Sequence, residues 1–299
     1  MSDSMIGIIG VGLMGHGIAS NLQKKGWRIG FLDYPGNQPT DGLVAGGAWS
    51  AGTPAELAER CDTIILVVTG TPQVEAVMTG DNGVLSAMEA GKVVIDCSTT
   101  VPDSTKKMAA LVEKAGGSML DAPMTRTPKE AAEGRLNLIV GGDEALFAQK
   151  LPMLQAFAEN ITYAGPVGSG HALKLLHNFV SLGFSAVLCE AAAASGKAGV
   201  DPKVLHDVLA HGGGAGVVLD RLSPFILEGE TGGFRFTLAN AFKDLDYYCT
   251  MAGDLDATSL VAGSIRDTYA VAVEGGAQAR FVPELIELLS QAEVLSQKS

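Results

Sequence analysis

The sequence predicts an α/β domain followed by an all-α domain, and two features of its pattern carry this prediction. In the first half, short apolar segments alternate with segments of helical periodicity, as expected for a mostly parallel sheet covered by helices. After about Tyr163 the periodicity is helical throughout, and a segment rich in glycine at 165–170 marks the change. The predicted domains are therefore residues 1–164 and 165–299, and the second is entered through one long helix.

Six strands and five helices are predicted for the first domain. Two of the strands, 63–68 and 93–96, are continuous apolar runs, which is typical of parallel strands buried on both faces. The predicted strands are 5–9, 28–32, 63–68, 93–96, 118–121 and 137–140. The predicted helices of this domain are 13–25, 54–60, 73–78, 103–115 and 144–157, and those of the second domain are 170–196, 202–210, 216–225, 238–252, 259–275 and 283–296.

Composition indicates a compact folded protein, because 47% of the 299 residues are hydrophobic and 18% are charged. The net charge of −12 argues against nucleic acid or an anionic membrane as a partner, since both require a basic surface. The most apolar segment, 179–196, is interrupted by Glu190, so we expect a buried helix and no membrane span.

The four cysteines are far apart and form no C-x-x-C pair, so neither a metal site nor a redox pair is expected. Scattered thiols are typical of a reducing compartment, and the N-terminus lacks the basic and apolar regions of a signal peptide. We therefore expect a cytoplasmic protein. His171 and His177 have no acidic or histidine partner at ligand spacing, and the sequence favours no direct chemical role for either.

The first predicted strand leads into a glycine turn with the spacing G-x-G-x-x-G, formed by Gly10, Gly12 and Gly15. In a dinucleotide-binding turn the first glycine permits the bend, the second admits a pyrophosphate, and the third lets helix and strand pack closely. The N-terminus of the next helix offers its unpaired N–H groups to the phosphates. The turn predicts a Rossmann-type dinucleotide-binding domain. Its predicted cofactor contacts are Gly10, Val11, Gly12, Leu13, Met14 and Gly15.

Ligands of such a sheet bind outside the carboxyl ends of the strands, and Asp33 follows the second strand. A carboxylate there accepts hydrogen bonds from the ribose hydroxyls of NAD and repels the 2′-phosphate of NADP. No arginine or lysine follows at 34–37 to compensate, so NAD is favoured and NADP is disfavoured. The alternative is that Asp33 only forms the turn before Pro35. The other strand-end candidates are Val68, Thr69, Ser98, Thr99 and residues 124–126.

Gly170, Lys174 and Asn178 repeat every four residues, so they share one face of the predicted long helix. Apolar residues cover much of the remaining circumference, and we expect the Lys174 ammonium to be partly desolvated. Desolvation lowers the pKa of a lysine towards the range used in acid–base catalysis. Gly170 is expected to leave room for a ligand one turn earlier. The alternative is a lysine whose stem is buried while its ammonium reaches solvent.

With these motifs the chain resembles the β-hydroxyacid dehydrogenase family over essentially its whole length. The resemblance implies NAD(P)-dependent oxidation of a hydroxyl group β to a carboxylate, or the reverse reduction of an aldehyde acid. Four ordered motifs carry it: the glycine turn with Asn21-Leu22, Asp121-Ala122-Pro123, Gly168-Ser169-Gly170 with Lys174 and Asn178, and Phe236 followed by Lys243-Asp244-Leu245.

The same resemblance implies roles for individual residues. Lys174 is the general acid/base that takes the hydroxyl proton during oxidation and returns it during reduction, while Asn178 hydrogen-bonds the substrate. Lys243 reaches the cofactor from the helical domain, or else it is a surface lysine paired with Asp244 or Asp246. The implied cofactor contacts beyond the turn are Asp33, Val68, Thr69, Thr99 and Lys243, and the implied substrate contacts are Ser98, Thr125, Arg126, Thr127, Lys174 and Asn178.

One segment departs from the family pattern, which usually continues Asp-Ala-Pro-Val-Ser-Gly-Gly. Here Thr125 can keep the hydroxyl of the serine, but Arg126 and Thr127 replace the glycines. A guanidinium binds anions in a bidentate manner, and the Arg-Thr pair is similar to that of sulfolactaldehyde reductases. The substrate is therefore expected to be a small anion, with a sulfonate or second carboxylate as the alternative to a 3-hydroxyisobutyrate-like acid. Otherwise Arg126 points to solvent or pairs with Glu130.

Three rival functions remain. A non-catalytic NAD-binding sensor would keep the glycine turn but would not need Lys174 and Asn178 on one helix face. Imine reductases resemble this architecture and generally lack the lysine, and 6-phosphogluconate dehydrogenase is usually much longer. The many apolar residues of the helical half also predict a homodimer or homotetramer.

Overall fold

The computed structural model describes residues 4–291. The chain divides into two compact units, of which the first ends at Lys174 and the second begins at Leu175. The division falls inside the long helix, beyond the predicted boundary at 164/165, because the first turns of that helix pack against the sheet of the first unit.

In the described residues the first unit contains one sheet of nine strands. Its strand order is β3-β2-β1-β4-β5-β6-β8-β7, with β9 beside β8. The chain reverses direction across the sheet at β1, where ligands of doubly wound sheets bind. The strands are β1 Met5–Ile9, β2 Arg28–Leu32, β3 Trp49–Ala51, β4 Thr63–Leu66, β5 Val93–Asp96, β6 Ser118–Asp121, β7 Met124–Thr125, β8 Leu136–Gly141 and β9 Ala158–Gly165.

All six predicted strands are confirmed, four of them with the predicted bounds. The sheet is parallel from β3 to β6, but β8 runs antiparallel to both β6 and β7. Three strands were not predicted. β3 and β7 contain only three and two residues, and β9 has neither a continuous apolar run nor a regular alternation. The predicted helix 144–157 ends at Leu154, and three turn residues separate it from β9.

The core of the first unit has two layers, one on each face of the sheet. Alternate side chains of a strand point to opposite faces, so Ile65 belongs to one layer while Ile64 and Leu66 belong to the other. Some helix N-termini are capped by a local side chain, for example that of α7, where Asp143 accepts from the Leu146 N–H at 2.8 Å. The helices are α1 Leu13–Lys24, α2 Asp41–Ala45, α3 Pro54–Arg60, α4 Thr71–Thr79, α5 Pro102–Lys114, α6 Pro128–Glu133 and α7 Glu144–Leu154.

The second unit is helical throughout its described residues, as predicted. Its core includes the fully buried Tyr269, whose hydroxyl donates to the Leu182 carbonyl at 3.1 Å. The predicted helix 259–275 ends at Ala272 and continues as a π-turn, and the end of the predicted helix 283–296 lies outside the described residues. The helices are α8 Ser169–Lys197, which starts in the first unit, α9 Pro202–Ala210, α10 Val217–Glu228, α11 Leu238–Asp254, α12 Leu260–Ala272 and α13 Leu285–Ser290.

By length and composition alone, α8 would be able to cross a membrane, and it is the one described helix that meets this test. Core helices of soluble proteins meet the same test, and 44% of its most apolar window is buried within the protein. This is weak evidence for a membrane span.

Candidate active site

The glycine turn joins β1 to α1, and its three glycines differ in what surrounds them. Gly10 has φ +99°, and a Cβ on it would lie 2.2 Å from the Val67 carbonyl oxygen. A Cβ on Gly15 would lie 1.9 Å from the Gly10 carbonyl oxygen. Both positions are therefore closed to larger residues by the protein backbone itself.

Gly12 is different, because a Cβ there would meet nothing within 4 Å. It precedes the first residue of α1, and no side chain caps this helix. Open space beside uncapped N–H groups fits a bound pyrophosphate. Within the turn, Val11 is fully buried in the core, so only its backbone can face a cofactor, whereas Leu13 is 63% exposed.

Asp33 is exposed at the carboxyl end of β2, beside the glycine turn. Its N–H donates to the Ala51 carbonyl at 2.9 Å, which fixes its backbone to the end of β3. The following loop is bonded to the turn, since Gln38 N–H donates to the Val11 carbonyl at 2.9 Å. An exposed carboxylate in this place fits the ribose hydroxyls of NAD.

The loops after β4 and β5 are bonded to each other through Ser98. The Ser98 hydroxyl accepts from the Val68 N–H at 3.0 Å, and the Ser98 N–H donates to Asp96 Oδ1 at 2.9 Å. Ser98 is only 4% exposed. Its hydroxyl therefore has a structural partner in addition to the predicted substrate, while the neighbouring Thr69 and Thr99 are more accessible.

The N-terminus of α8 is seated on the carboxyl ends of β6 and β8. Asp121 at the end of β6 accepts from the N–H groups of Gly168 at 2.7 Å and His171 at 2.8 Å. A Cβ on Gly170 would lie 2.4 Å from the Ile139 carbonyl oxygen. Protein backbone thus fills the space that was predicted to admit a ligand beside Gly170, and that prediction was wrong.

His171 is completely buried in the first turn of α8, and both of its ring nitrogens are bonded. Nδ1 lies 2.8 Å from Thr105 Oγ1, and Nε2 lies 3.1 Å from the Ser98 carbonyl oxygen. The carboxylates of Asp96 and Asp121 flank the ring at 3.9 and 3.8 Å. This network has no signal in the sequence, because its members are distant in the chain and come together only when α5 and α8 pack at the ends of β5 and β6.

Lys174 follows His171 by three residues and is only 9% exposed. Asn178 lies one turn further along the same helix, in the second unit, and is 7% exposed. Its Nδ2 donates to Asp244 Oδ2 at 2.5 Å, and its Oδ1 lies 2.9 Å from His177 Nδ1. Both polar atoms of the Asn178 amide are therefore oriented by neighbours within the second unit.

Lys243 has the ion pair that was its predicted alternative, since its Nζ lies 2.8 Å from Asp244 Oδ1. Among the described residues Asp244 Oδ1 has no aligned hydrogen bond, so this contact is an ion pair only. Asp244 is only 2% exposed, and its two carboxylate oxygens contact Lys243 and Asn178. The sequence carries no local signal for this burial or for these contacts.

The Arg126 guanidinium bonds to the Glu159 carboxylate and to the Arg135 carbonyl oxygen. This contact holds the pKa of Glu159 below its usual range. The expected alternative, an ion pair with Glu130, is not what the structure shows, because Glu130 accepts from the N–H of Thr127 at 3.0 Å and from its hydroxyl at 2.5 Å.

Arg126 also has φ +82°, in the left-handed region that favours glycine. In the neighbouring strands the Thr125 hydroxyl accepts from Asn137 Nδ2 at 3.1 Å, and Asn137 Oδ1 accepts from Asn160 Nδ2 at 2.9 Å. Since its oxygen accepts this bond, the Thr125 hydroxyl retains its proton for another acceptor.

Across the described residues, no group of three His, Cys, Asp or Glu side chains could hold a metal ion.

The glycine turn, the exposed acid after β2 and the buried lysine at the start of α8 together define a dinucleotide-dependent oxidoreductase. The NAD-binding domain family of 6-phosphogluconate dehydrogenase matches residues 5–165, and the NAD-binding domain family of NADP-dependent 3-hydroxyisobutyrate dehydrogenase matches residues 168–289. The chain belongs to the β-hydroxyacid dehydrogenase family and is an NAD-dependent dehydrogenase that acts on a CH–OH group. The non-catalytic alternative is thereby set aside.

Relatives and solved structures agree with this family. The chain is 36% identical over 216 residues to 2-hydroxy-3-oxopropionate reductase of Escherichia coli, covering 72% of this chain and 73% of the relative. It is 31% identical over 283 residues to 3-hydroxyisobutyrate dehydrogenase of Pseudomonas aeruginosa, covering 91% and 93%. A solved 3-hydroxyisobutyrate dehydrogenase of Mycobacterium tuberculosis has a TM-score of 0.85 at 26% identity, covering 96% of this chain and 99% of that one.

Proposed function

We propose that the protein catalyses hydride transfer between NAD and a small β-hydroxy acid or its aldehyde acid, with Lys174 as general acid/base. The observation that carries this proposal is the burial of Lys174, 9% exposed, on a helix whose first turn is bonded to Asp121 at the carboxyl end of β6, at the same edge of the sheet as the glycine turn. NAD, when bound at that turn, supplies or accepts the hydride.

The proton is the part of the reaction that this chain's own residues handle. During oxidation Lys174 Nζ removes the proton of the substrate hydroxyl, and during reduction it returns the proton to the new alkoxide. Asn178 hydrogen-bonds the substrate, and its fixed amide orientation supports this role. Lys243 is the proposed cofactor contact of the second unit, and its ion pair with Asp244 balances its charge.

Thr125 and the segment that follows it are proposed to bind the acid group of the substrate. The available hydroxyl proton of Thr125 supports this assignment. The names of two relatives refer to 3-hydroxyisobutyrate and to 2-hydroxy-3-oxopropionate, and both of these compounds are small acids. A sulfonated or dicarboxylic semialdehyde is the second candidate, favoured by Arg126, which would have to exchange Glu159 for the substrate anion.

The test of the proposed reaction is NAD-linked turnover of 3-hydroxyisobutyrate, tartronate semialdehyde, succinic semialdehyde and sulfolactaldehyde. We expect Lys174→Met to lower kcat by at least about a hundredfold, consistent with the loss of a general acid/base. Lys197→Met is the matched control, since Lys197 lies exposed in the last turn of the same helix. Full activity of Lys174→Met would refute the mechanism.

Turnover of the same four substrates also tests which acid the protein prefers. If a sulfonate or dicarboxylic substrate is preferred and Arg126→Gly abolishes that preference, Arg126 is the specificity residue. If 3-hydroxyisobutyrate is preferred and Arg126→Gly leaves the preference unchanged, the pairing of Arg126 with Glu159 is purely structural.

We further propose that the protein is a cytoplasmic homodimer or homotetramer. Exposed apolar side chains of the second unit, such as Val180 at 68%, Val187 at 60% and Leu260 at 84%, support an interface with another copy. Light scattering after gel filtration measures the stoichiometry, and a monomeric mass at micromolar concentration contradicts this proposal.

A further inference from the structure

His171 has no role in the proposed reaction, yet it is the most densely bonded side chain at the start of α8. Its ring is fully buried. The Ser98 carbonyl oxygen can only accept a hydrogen bond, so the bond of 3.1 Å requires a proton on His171 Nε2. In the neutral ring Nδ1 then accepts from the Thr105 hydroxyl at 2.8 Å, and the same hydroxyl lies at a longer 3.3 Å from the Val101 carbonyl oxygen.

The bonds of His171 join four elements of the first unit. The residue itself lies on α8, Ser98 follows β5, Thr105 lies on α5, and Asp121 at the end of β6 accepts from the His171 N–H. The two charged groups that face the ring, Asp96 and Asp121, end adjacent paired strands. Any movement of α8 relative to the edge of the sheet must therefore break one of these bonds.

A continuous chain of bonds runs from this ring to the loops proposed to face the cofactor. The ring holds the carbonyl of Ser98, and the hydroxyl of the same Ser98 accepts from the Val68 N–H at 3.0 Å. Val68 and Thr99 are proposed cofactor contacts. At the other end of this series of hydrogen bonds, His171 is three residues from Lys174, which is close to one helical turn.

We propose that His171 is a positioning residue that fixes the distance between the Lys174 amine and the loops after β4 and β5. It contacts neither substrate nor cofactor and acts only through Ser98 and the first turn of α8. This inference rests on the proposed role of Lys174. An error of about 1 Å in the placement of a catalytic group costs on the order of a hundredfold in rate, so the bond from Nε2 to Ser98 governs kcat.

The proposal is tested by two polar substitutions that differ only in reach. The amide of His171→Gln can donate where Nε2 does, to the Ser98 carbonyl, whereas the shorter amide of His171→Asn reaches only towards Thr105. We expect His171→Gln to keep at least a third of the parental kcat and His171→Asn to lose at least tenfold. The dissociation constant of NAD, measured by calorimetry, is expected to change less than threefold in both.

A deuterium isotope effect on kcat separates positioning from general damage. With deuterated hydroxy acid the effect is expected to rise in His171→Asn, because misplacement slows the chemical step relative to product release. His206→Leu is the control, since His206 Nε2 bonds to Ser223 Oγ at 2.8 Å within the second unit. We expect its kcat to equal that of the parent.

The protein without cofactor provides an independent measurement. Nitrogen-15 spectra of labelled histidines are expected to show His171 with its proton on Nε2, protected from exchange. A proton on Nδ1 alone, or equal kcat values for the Gln and Asn variants, would overturn the proposal. If Lys174→Met is fully active, the proposed function has failed instead, whatever the His171 variants do.

Discussion

The seating of α8 on the sheet predicts a sharp effect for Gly170→Ala. The added Cβ would lie 2.4 Å from the Ile139 carbonyl oxygen, 2.8 Å from Asp121 Oδ2 and 3.0 Å from the Asp121 carbonyl oxygen. Ordinary contacts of a Cβ begin at 3.4 Å, so the helix has to retreat by about 1 Å. None of the three neighbours can rotate away, because two are backbone atoms and the third is the carboxylate that holds the N-terminus of α8.

The retreat has separate consequences for stability and for activity. Overpacking costs about 1–3 kcal/mol, and the better helix propensity of alanine returns about 1 kcal/mol. The net loss of unfolding free energy is therefore about 0–2 kcal/mol, and the variant is expected to remain folded. Lys174, one turn further along, moves with the helix, and we expect kcat to fall on the order of a hundredfold.

Urea unfolding measures the loss of unfolding free energy, and NAD-linked turnover measures the fall in kcat. Gly196→Ala in the same helix is the matched control, since its Cβ would meet nothing within 4 Å. That control is expected to gain up to about 1 kcal/mol of unfolding free energy with unchanged kcat. A Gly170→Ala variant with parental kcat would show that the position of α8 does not govern the reaction.

Three further predictions concern groups around the site. Arg126→Gly is expected to change the unfolding free energy by less than about 1 kcal/mol. Relief of the left-handed backbone strain contributes about 1–2 kcal/mol, and the entropy of glycine in the unfolded chain offsets about 0.4–1 kcal/mol of it. Arg126→Ala, which retains the strained backbone conformation, should be less stable than Arg126→Gly in urea. The hydrogen bond from the Thr127 hydroxyl lowers the pKa of Glu130, so its stabilisation is present above the unfolded pKa and is lost as pH falls through the folded one. Glu130→Gln should accordingly cost about 1 kcal/mol at pH 7, with a thermal midpoint that converges on the parent's as pH falls through the folded pKa of Glu130. Asp244→Leu leaves the Asn178 amide without its acceptor and should cost about 1–3 kcal/mol in denaturant. Asp246→Leu should cost little, because the Asp246 side chain is half-exposed and its contact with Arg266 is long, 3.7 Å. Equal losses would contradict the assigned role of Asp244.

The sequence predicted most strands of the first unit because their signals are local. Continuous apolar runs identified β4 and β5, and the glycine spacing located the turn after β1. β9 was not predicted because its residues form neither an apolar run nor a regular alternation, and its position depends on pairing with β8. β7 escaped because two residues have no periodicity, and its antiparallel partner begins after the intervening α6.

The candidate site divides in the same way between local and distant signals. The spacing of Gly170, Lys174 and Asn178 correctly assigned them to one helix. It could not show that a single helix face meets different surroundings along its length. At Gly170 that face is pressed onto backbone from β6 and β8, and at Asn178 it is held by Asp244 of α11. Lys174, the proposed general acid/base, lies between these two positions on the same helix.

This division explains why two buried carboxylates end neighbouring strands without being catalytic. Asp96 accepts from Ser98 N–H and Thr100 Oγ1, and Asp121 accepts from two N–H groups at the start of α8. Buried carboxylates are stable only when such bonds replace water. Each acid therefore anchors one segment of the site, Asp96 the loop after β5 and Asp121 the helix of Lys174, and His171 joins the two. Loss of either acid should thus impair the geometry of the reaction rather than its proton transfer, and external amines should not restore activity to an Asp121→Leu variant.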